Sequence, residues 1–120
     1  MSEEPIALHC PRMSEIISTV CDHYGLDRLD LLSERRSRVV ARPRQIAMWL
    51  GRKMTVRSLP EIARHLRRGD HTTVMHGIRI IDGLIGKDND LAADIHAIRR
   101  RLNNRVLLRE AIEQQSAEAA

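Results

Sequence analysis

The sequence predicts an all-α fold of about six helices in one domain. Three observations predict it. The chain has 120 residues, the size of a single domain, and 42% of them are hydrophobic, enough for one core. Aromatics make up only 2%, Trp49 and Tyr24 with no Phe, so the core is aliphatic, a composition that favours helix over sheet. Apolar residues recur at three- and four-residue spacing along most of the chain, with no strand-like alternation and no internal repeat.

Residues 1–12 read as a flexible leader, because Pro5 and Pro11 break any helix there. Ile16, Ile17, Val20, Cys21 and Tyr24 then follow a helical period that Gly25 closes as a C-cap. "LDRLDLLSERR" reads as a short second helix with Asp27 as N-cap and Leu29, Leu31 and Leu32 turned inward. "SERRSRVVAR" is a basic connection that ends at Pro43, since a proline disfavours helix at Arg42 and suits a new first turn. A third helix is expected from Pro43 to Met54, burying Ile46, Trp49, Leu50 and Met54. Ser58 and Glu61 have the spacing of a capping box, and the fourth helix carries Leu59, Ile62, Ala63 and Leu66.

"RRG" breaks that helix and Asp70 caps a fifth, with Val74, Ile78, Ile81 and Ile85 on one face and Thr72, His76 and Arg79 opposite. Gly77 inside this helix points to close approach of another helix, and Gly86 ends it. Asp88 or Asn89 starts a sixth helix with Leu91, Ile95, Ile98 and Leu102, continuing through Val106 to Ile112. The domain is expected to span residues 13–112, with 113–120 a frayed tail.

Several function classes drop out. No apolar run reaches the roughly 20 residues that cross a bilayer, and no secretory leader is evident, so a cytoplasmic protein with reduced Cys10 and Cys21 is expected. Those cysteines with His9 and His23 match no zinc spacing, and neither a metal nor a cofactor is expected. Asp70, His71 and the threonines are adjacent on one turn and point in different directions, so they form no catalytic triad, and no enzyme is expected.

Charge points to a polyanion. Residues 34–73 hold 11 Lys and Arg against three acids, Glu34, Glu61 and Asp70, a net of +8, while the rest of the chain carries −4. Within that basic third lie two helices joined by a tight Gly-containing turn, the second opening on Asp70-His71-Thr72-Thr73. This is the pattern of a helix-turn-helix, whose second helix places its N-terminal residues against base edges in the major groove. Asp70 can accept from cytosine, His71 can meet a purine edge, and Thr72 and Thr73 offer a hydroxyl and a methyl. Asp70 also serves as an N-cap with no DNA present.

The motif "RRSRVVARPRQIAM" at 35–48, followed by "SLPEI" at 58–62 and "DHTTV" at 70–74, resembles the C-terminal DNA-binding domain of the bacterial replication initiator DnaA. The resemblance covers about residues 14–102 and implies an all-helical, Trp-repressor-like helix-turn-helix that binds double-stranded DNA at short, A/T-rich DnaA boxes. It implies Asp70, His71, Thr72 and Thr73 as major-groove readers and Arg36 as a minor-groove arginine, with Arg38, Arg42, Arg52, Pro60 and Arg68 at the DNA backbone. The chain departs from the family at Arg67-Arg68-Gly69, where a glycine pair and a basic residue are usual. No G-x-x-x-x-G-K-[ST] phosphate loop occurs in it, so the ATPase activity of a full initiator is not expected. The function expected is box recognition in transcription regulation or modulation of replication initiation. The oligomeric state is left open, with a monomer on DNA the expectation. The alternatives are a ligand-responsive helix-turn-helix repressor and an interaction adaptor that uses Leu102, Val106 and Ile112 as its partner face.

Overall fold

A computed structural model describes residues 10–119, so the leader expected at 1–12 falls outside the described residues for positions 1–9, as does His9. Six helices and no strand are found among the described residues: α1 (Met13–Tyr24), α2 (Arg28–Leu32), α3 (Arg38–Met54), α4 (Leu59–His65), α5 (His71–Leu84) and α6 (Asn89–Ala119). None is long and apolar enough to cross a membrane.

The aliphatic core is built around α3. Ile46, Met48 and Leu50 meet Ile16, Ile17 and Val20 of α1, Leu31 of α2, Ile62 of α4 and Val74 and Ile81 of α5, all buried. Trp49 is buried as well, and its Nε1–H donates to Asp82 Oδ1 at 2.8 Å, which satisfies the indole. Gly77 marks the close approach of α5 to α3: a Cβ there would lie 2.5 Å from Met48 Sδ. Gly25 ends α1 in the left-handed region at φ 65°, where glycine carries no steric penalty.

Three elements, α2, α3 and α6, differ from the pattern the sequence predicts. The third helix begins at Arg38, five residues before Pro43, with Ala41 N–H bonding Ser37 C=O at 2.8 Å. The local preference against helix before proline loses to packing, because the added turn buries Val40 completely. Pro43 leaves the Val39 carbonyl without its helical donor, but Val39 is exposed and water can take that place. Leu29 is 73% exposed rather than inward, since α2 has only five residues and Leu31 and Leu32 take its buried side. The sixth helix does not end at Ile112 but continues to Ala119. Finally, Leu102 and Val106 are buried against their own domain, which leaves only Ile112 of the expected partner face exposed.

The length of α6 is docked to α1 by ion pairs. Arg105 pairs with Asp22, Arg109 Nε meets Glu15 Oε2 at 2.8 Å, and Arg12 reaches Glu113 at 2.9 Å. Nearer its start, Asp94 accepts from Tyr24 OH at 3.0 Å and lies 3.1 Å from His23 Nε2. Residues 10–12 belong to this packing too: Pro11 is buried and Cys10 Sγ donates to Met54 C=O at 3.4 Å.

Candidate nucleic-acid interface

The site is assembled from α4, α5 and the segment between α2 and α3. Ser58 starts α4 with the capping box: Glu61 N–H donates to Ser58 Oγ at 3.3 Å, and Ser58 N–H donates to Glu61 Oε1 at 3.0 Å. Ser58 N–H, the Arg57 guanidinium and the Ser58 hydroxyl hold the Glu61 carboxyl down at about 2. The helix ends through a left-handed Arg67 (φ 56°), with Arg68 N–H bonding Ala63 C=O at 2.8 Å and Arg67 N–H bonding Arg64 C=O at 3.1 Å. This is the Schellman arrangement that reverses the chain into α5.

Asp70 caps α5. Its Oδ1 accepts from Thr72 N–H at 2.9 Å, and that bond, helped by the Thr72 side chain and His71, holds its carboxyl below the usual range. Asp70 is therefore anionic at neutral pH. His71, Thr72 and Thr73 are exposed on the first turn, while Val74 behind them anchors the helix in the core. The positive end of the helix dipole points the same way as these side chains. The cap is observed, and the four side chains are open to a partner.

The segment carrying Arg36 is held by two arginines, one of which sequence reasoning passed over. Arg44 is 6% exposed and has no carboxylate partner among the described residues. Its Nε donates to Leu31 C=O at 2.8 Å, Nη2 to Ser33 C=O at 2.8 Å and Nη1 to Arg35 C=O at 3.1 Å. Arg68 joins it from the turn: Nη2 donates to Ser33 C=O at 2.6 Å and Leu32 C=O at 3.0 Å, and Nε donates to Leu66 C=O at 3.1 Å. Burial, then the neighbouring Arg68, lowers the Arg44 pKa, yet the guanidinium remains charged in this ordinary range of pH. The two forks satisfy the carbonyls that the short α2 leaves open at its end. Arg68, expected at the DNA backbone, is thus half-buried and engaged in holding the loop. The sequence signal for Arg44 was its place one turn after Val40 on the buried side of α3, which the assignment of that stretch to a connection concealed.

The result is an open concavity of about 540 Å³ between loop and helix, lined by Arg36, Arg67, Gly69 and Thr73 over the Arg44–Arg68 pair, with Glu34 at one wall. A second one, of about 380 Å³, adjoins it along Arg36, Arg38, Arg42, Gln45 and Ile80. Two buried side-chain atoms here, Arg42 Nη1 and Gln45 Oε1, have no hydrogen-bond partner among the described residues. The structure therefore brings together Arg36, Arg38 and Arg42 on one side and Thr73 on the other. Arg52 and Pro60 are exposed at the far end of α3 and the start of α4, and neither lines these concavities. No cluster of three or more potential metal ligands occurs among the described residues.

The family model described as the bacterial DnaA protein helix-turn-helix matches residues 13–81, from the start of α1 into α5. The chain belongs to this family. Chromosomal replication initiator proteins DnaA are similar to it: that of Xanthobacter autotrophicus is 49% identical over 89 residues, covering 74% of this chain and 18% of the relative. That of Sphingopyxis alaskensis is 51% identical over 96 residues, covering 78% and 21%. That of Caulobacter vibrioides is 48% identical over 90 residues, covering 75% and 18%. A crystal structure of a DNA replication initiation factor superposes with a TM-score of 0.70 at 31% identity, covering 78% of this chain and 29% of the other. The chain spans about a fifth of the length of the DnaA relatives it matches. Within the matched residues, α4, the Leu66–Gly69 turn and α5 have the arrangement of a helix-turn-helix.

Proposed function

We propose that this chain binds double-stranded DNA in a sequence-specific manner at DnaA-box-like, A/T-rich sites. The reading rests chiefly on the uncovered Asp70–Thr73 turn at the head of a capped recognition helix, facing a basic loop across a shared concavity. In this reading α5 enters the major groove, with His71, Thr72 and Thr73 at base edges and Asp70 both capping the helix and accepting from an amino group. Arg36 enters the neighbouring minor groove, where A/T-rich steps are narrow and strongly negative. Arg38, Arg42 and Arg52 meet phosphates, Pro60 packs at the backbone, and Arg68 acts on the DNA by holding the loop that presents Arg36.

The protein acts as a monomer on DNA at the nucleoid, regulating transcription or modulating replication initiation at sites its full-length relatives use, with no ATPase activity of its own. A gel-shift comparison of box-bearing and scrambled duplexes tests this. A clear preference for the box is expected, and equal affinity for both overturns specific recognition. Calorimetry with ATP and magnesium is expected to give no saturable heat, and micromolar binding would overturn the non-enzymatic reading.

A further inference from the structure

We propose that Arg67 is a DNA phosphate contact, and that its place at the turn of the motif is kept for that contact in spite of its backbone conformation. The inference rests on the DNA-binding reading and adds a residue to it.

Arg67 is the one described non-glycine residue with positive φ, at 56°. It occupies the position after the α4 C-cap where the Schellman geometry demands the left-handed region and glycine is the usual occupant. A residue with a Cβ is disfavoured there, and such conformations persist where function or surroundings impose them. The surroundings give no structural reason for an arginine. Its side chain is exposed, and among the described residues its guanidinium has no hydrogen-bond or ion-pair partner. The next residue, Arg68, already supplies the fork that ties the turn to Ser33 and Leu32.

What Arg67 does have is a place in the concavity beside Arg36 and Thr73. Of the four arginines lining that space, Arg44 and Arg68 are committed to carbonyls, which leaves Arg36 and Arg67 as its two uncommitted cations. A strand that passes from the groove read by Thr73 to the groove read by Arg36 must carry its phosphates across this opening. A guanidinium there meets a phosphodiester with paired N–H donors and full charge. Such a contact fixes register and adds affinity without reading sequence.

The test separates contact from scaffold because the two roles move stability in opposite directions. Arg67→Gly relieves the left-handed residue and removes the cation. Its melting temperature is expected to rise by a few degrees. Its affinity is expected to fall roughly fivefold on both box and scrambled duplexes. The slope of log K against log salt should become shallower by about one. Arg67→Lys, which keeps the charge, should retain most of the affinity, and Arg67→Ala should lose it without the gain in melting temperature. Unchanged affinity in Arg67→Gly, or a loss of affinity accompanied by a lower melting temperature, overturns the inference. If only Arg67→Gly is neutral while the unaltered chain still prefers the box, the contact fails and the DNA-binding reading stands; no binding by the unaltered chain overturns both.

Discussion

Asp70 caps α5 while the side chains beside it stay open to solvent. Its Oδ1 satisfies Thr72 N–H, and the bond keeps the carboxylate ionised while leaving His71 and both threonines exposed beside it. The neighbours can therefore be changed without touching the cap. His71→Ala and Thr72→Ala are each expected to cost about 1–3 kcal/mol on the box, to leave scrambled DNA almost unaffected, and to melt like the unaltered chain. Paired binding and melting curves check this, and equal losses on both duplexes would reduce the turn to a helix cap. Arg44 is the opposite case, a cation with a purely internal task. Arg44→Ala leaves the buried carbonyl of Leu31 and the partly buried ones of Ser33 and Arg35 without that donor and should lower stability on the order of 3 kcal/mol, seen as a depressed melting temperature. The exposed, capped first turn of α5 was legible in the sequence because cap and hydrogen-bonding residues cluster before an apolar period. The commitments of Arg44 and Arg68 were not, because charge alone does not tell a phosphate ligand from a cation folded onto carbonyls thirteen or thirty-five residues away.

At the scale of elements, the capping box gives α4 a dependence on acid. The Glu61 carboxyl, ordinarily near 4.5, is held at about 2 in the folded chain. The folded state thus takes up that proton less readily than the unfolded chain, so the stabilisation is complete above about 4.5 and is lost as pH falls through about 2. Glu61→Gln keeps the reciprocal bond to Ser58 N–H without the charge. Its melting temperature should vary less with pH across that interval than that of the unaltered chain; parallel curves would show that the carboxylate is not linked to folding. The seam between α3 and α5 is equally specific. Gly77→Ala gains roughly 1 kcal/mol of helix propensity but forces a methyl into buried Met48, an overpacking that costs about 1–3 kcal/mol. A net loss of stability is expected from denaturant titration, and a net gain would mean that Met48 yields. Gly77, Gly25 and the Ser58 cap could be read from sequence because each answers a local rule. The start of α3 could not, since a proline rule there competes with burial of Val40. Nor could the end of α6, because "EQQSAEA" lacks both an apolar period and a stop signal.

For the molecule as a whole, the linear segregation of charge becomes a spatial one. The basic third supplies the loop, the motif and the concavities, while the acidic remainder contributes Glu15, Asp22, Asp94 and Glu113 to the docking of α6. Burial opposes ionisation of Glu15, but its bonds to Arg109 and to Arg12 outweigh that and hold the carboxyl below its usual range. Positive charge is thereby left on the motif and neutralised along α6. If about six phosphates are engaged, log K should fall against log salt with a slope near −5, and an affinity nearly independent of salt would contradict an electrostatic footing. In the proposed complex, DNA lies across the head of α5 and the Arg36 loop. Its most direct test is an NMR titration of the labelled chain with a box duplex. The largest amide shifts are expected at residues 34–38 and 67–76, with smaller ones near Arg52 and Pro60 and little change at 91–119. Shifts concentrated on α6, with the first turn of α5 unmoved, would contradict it.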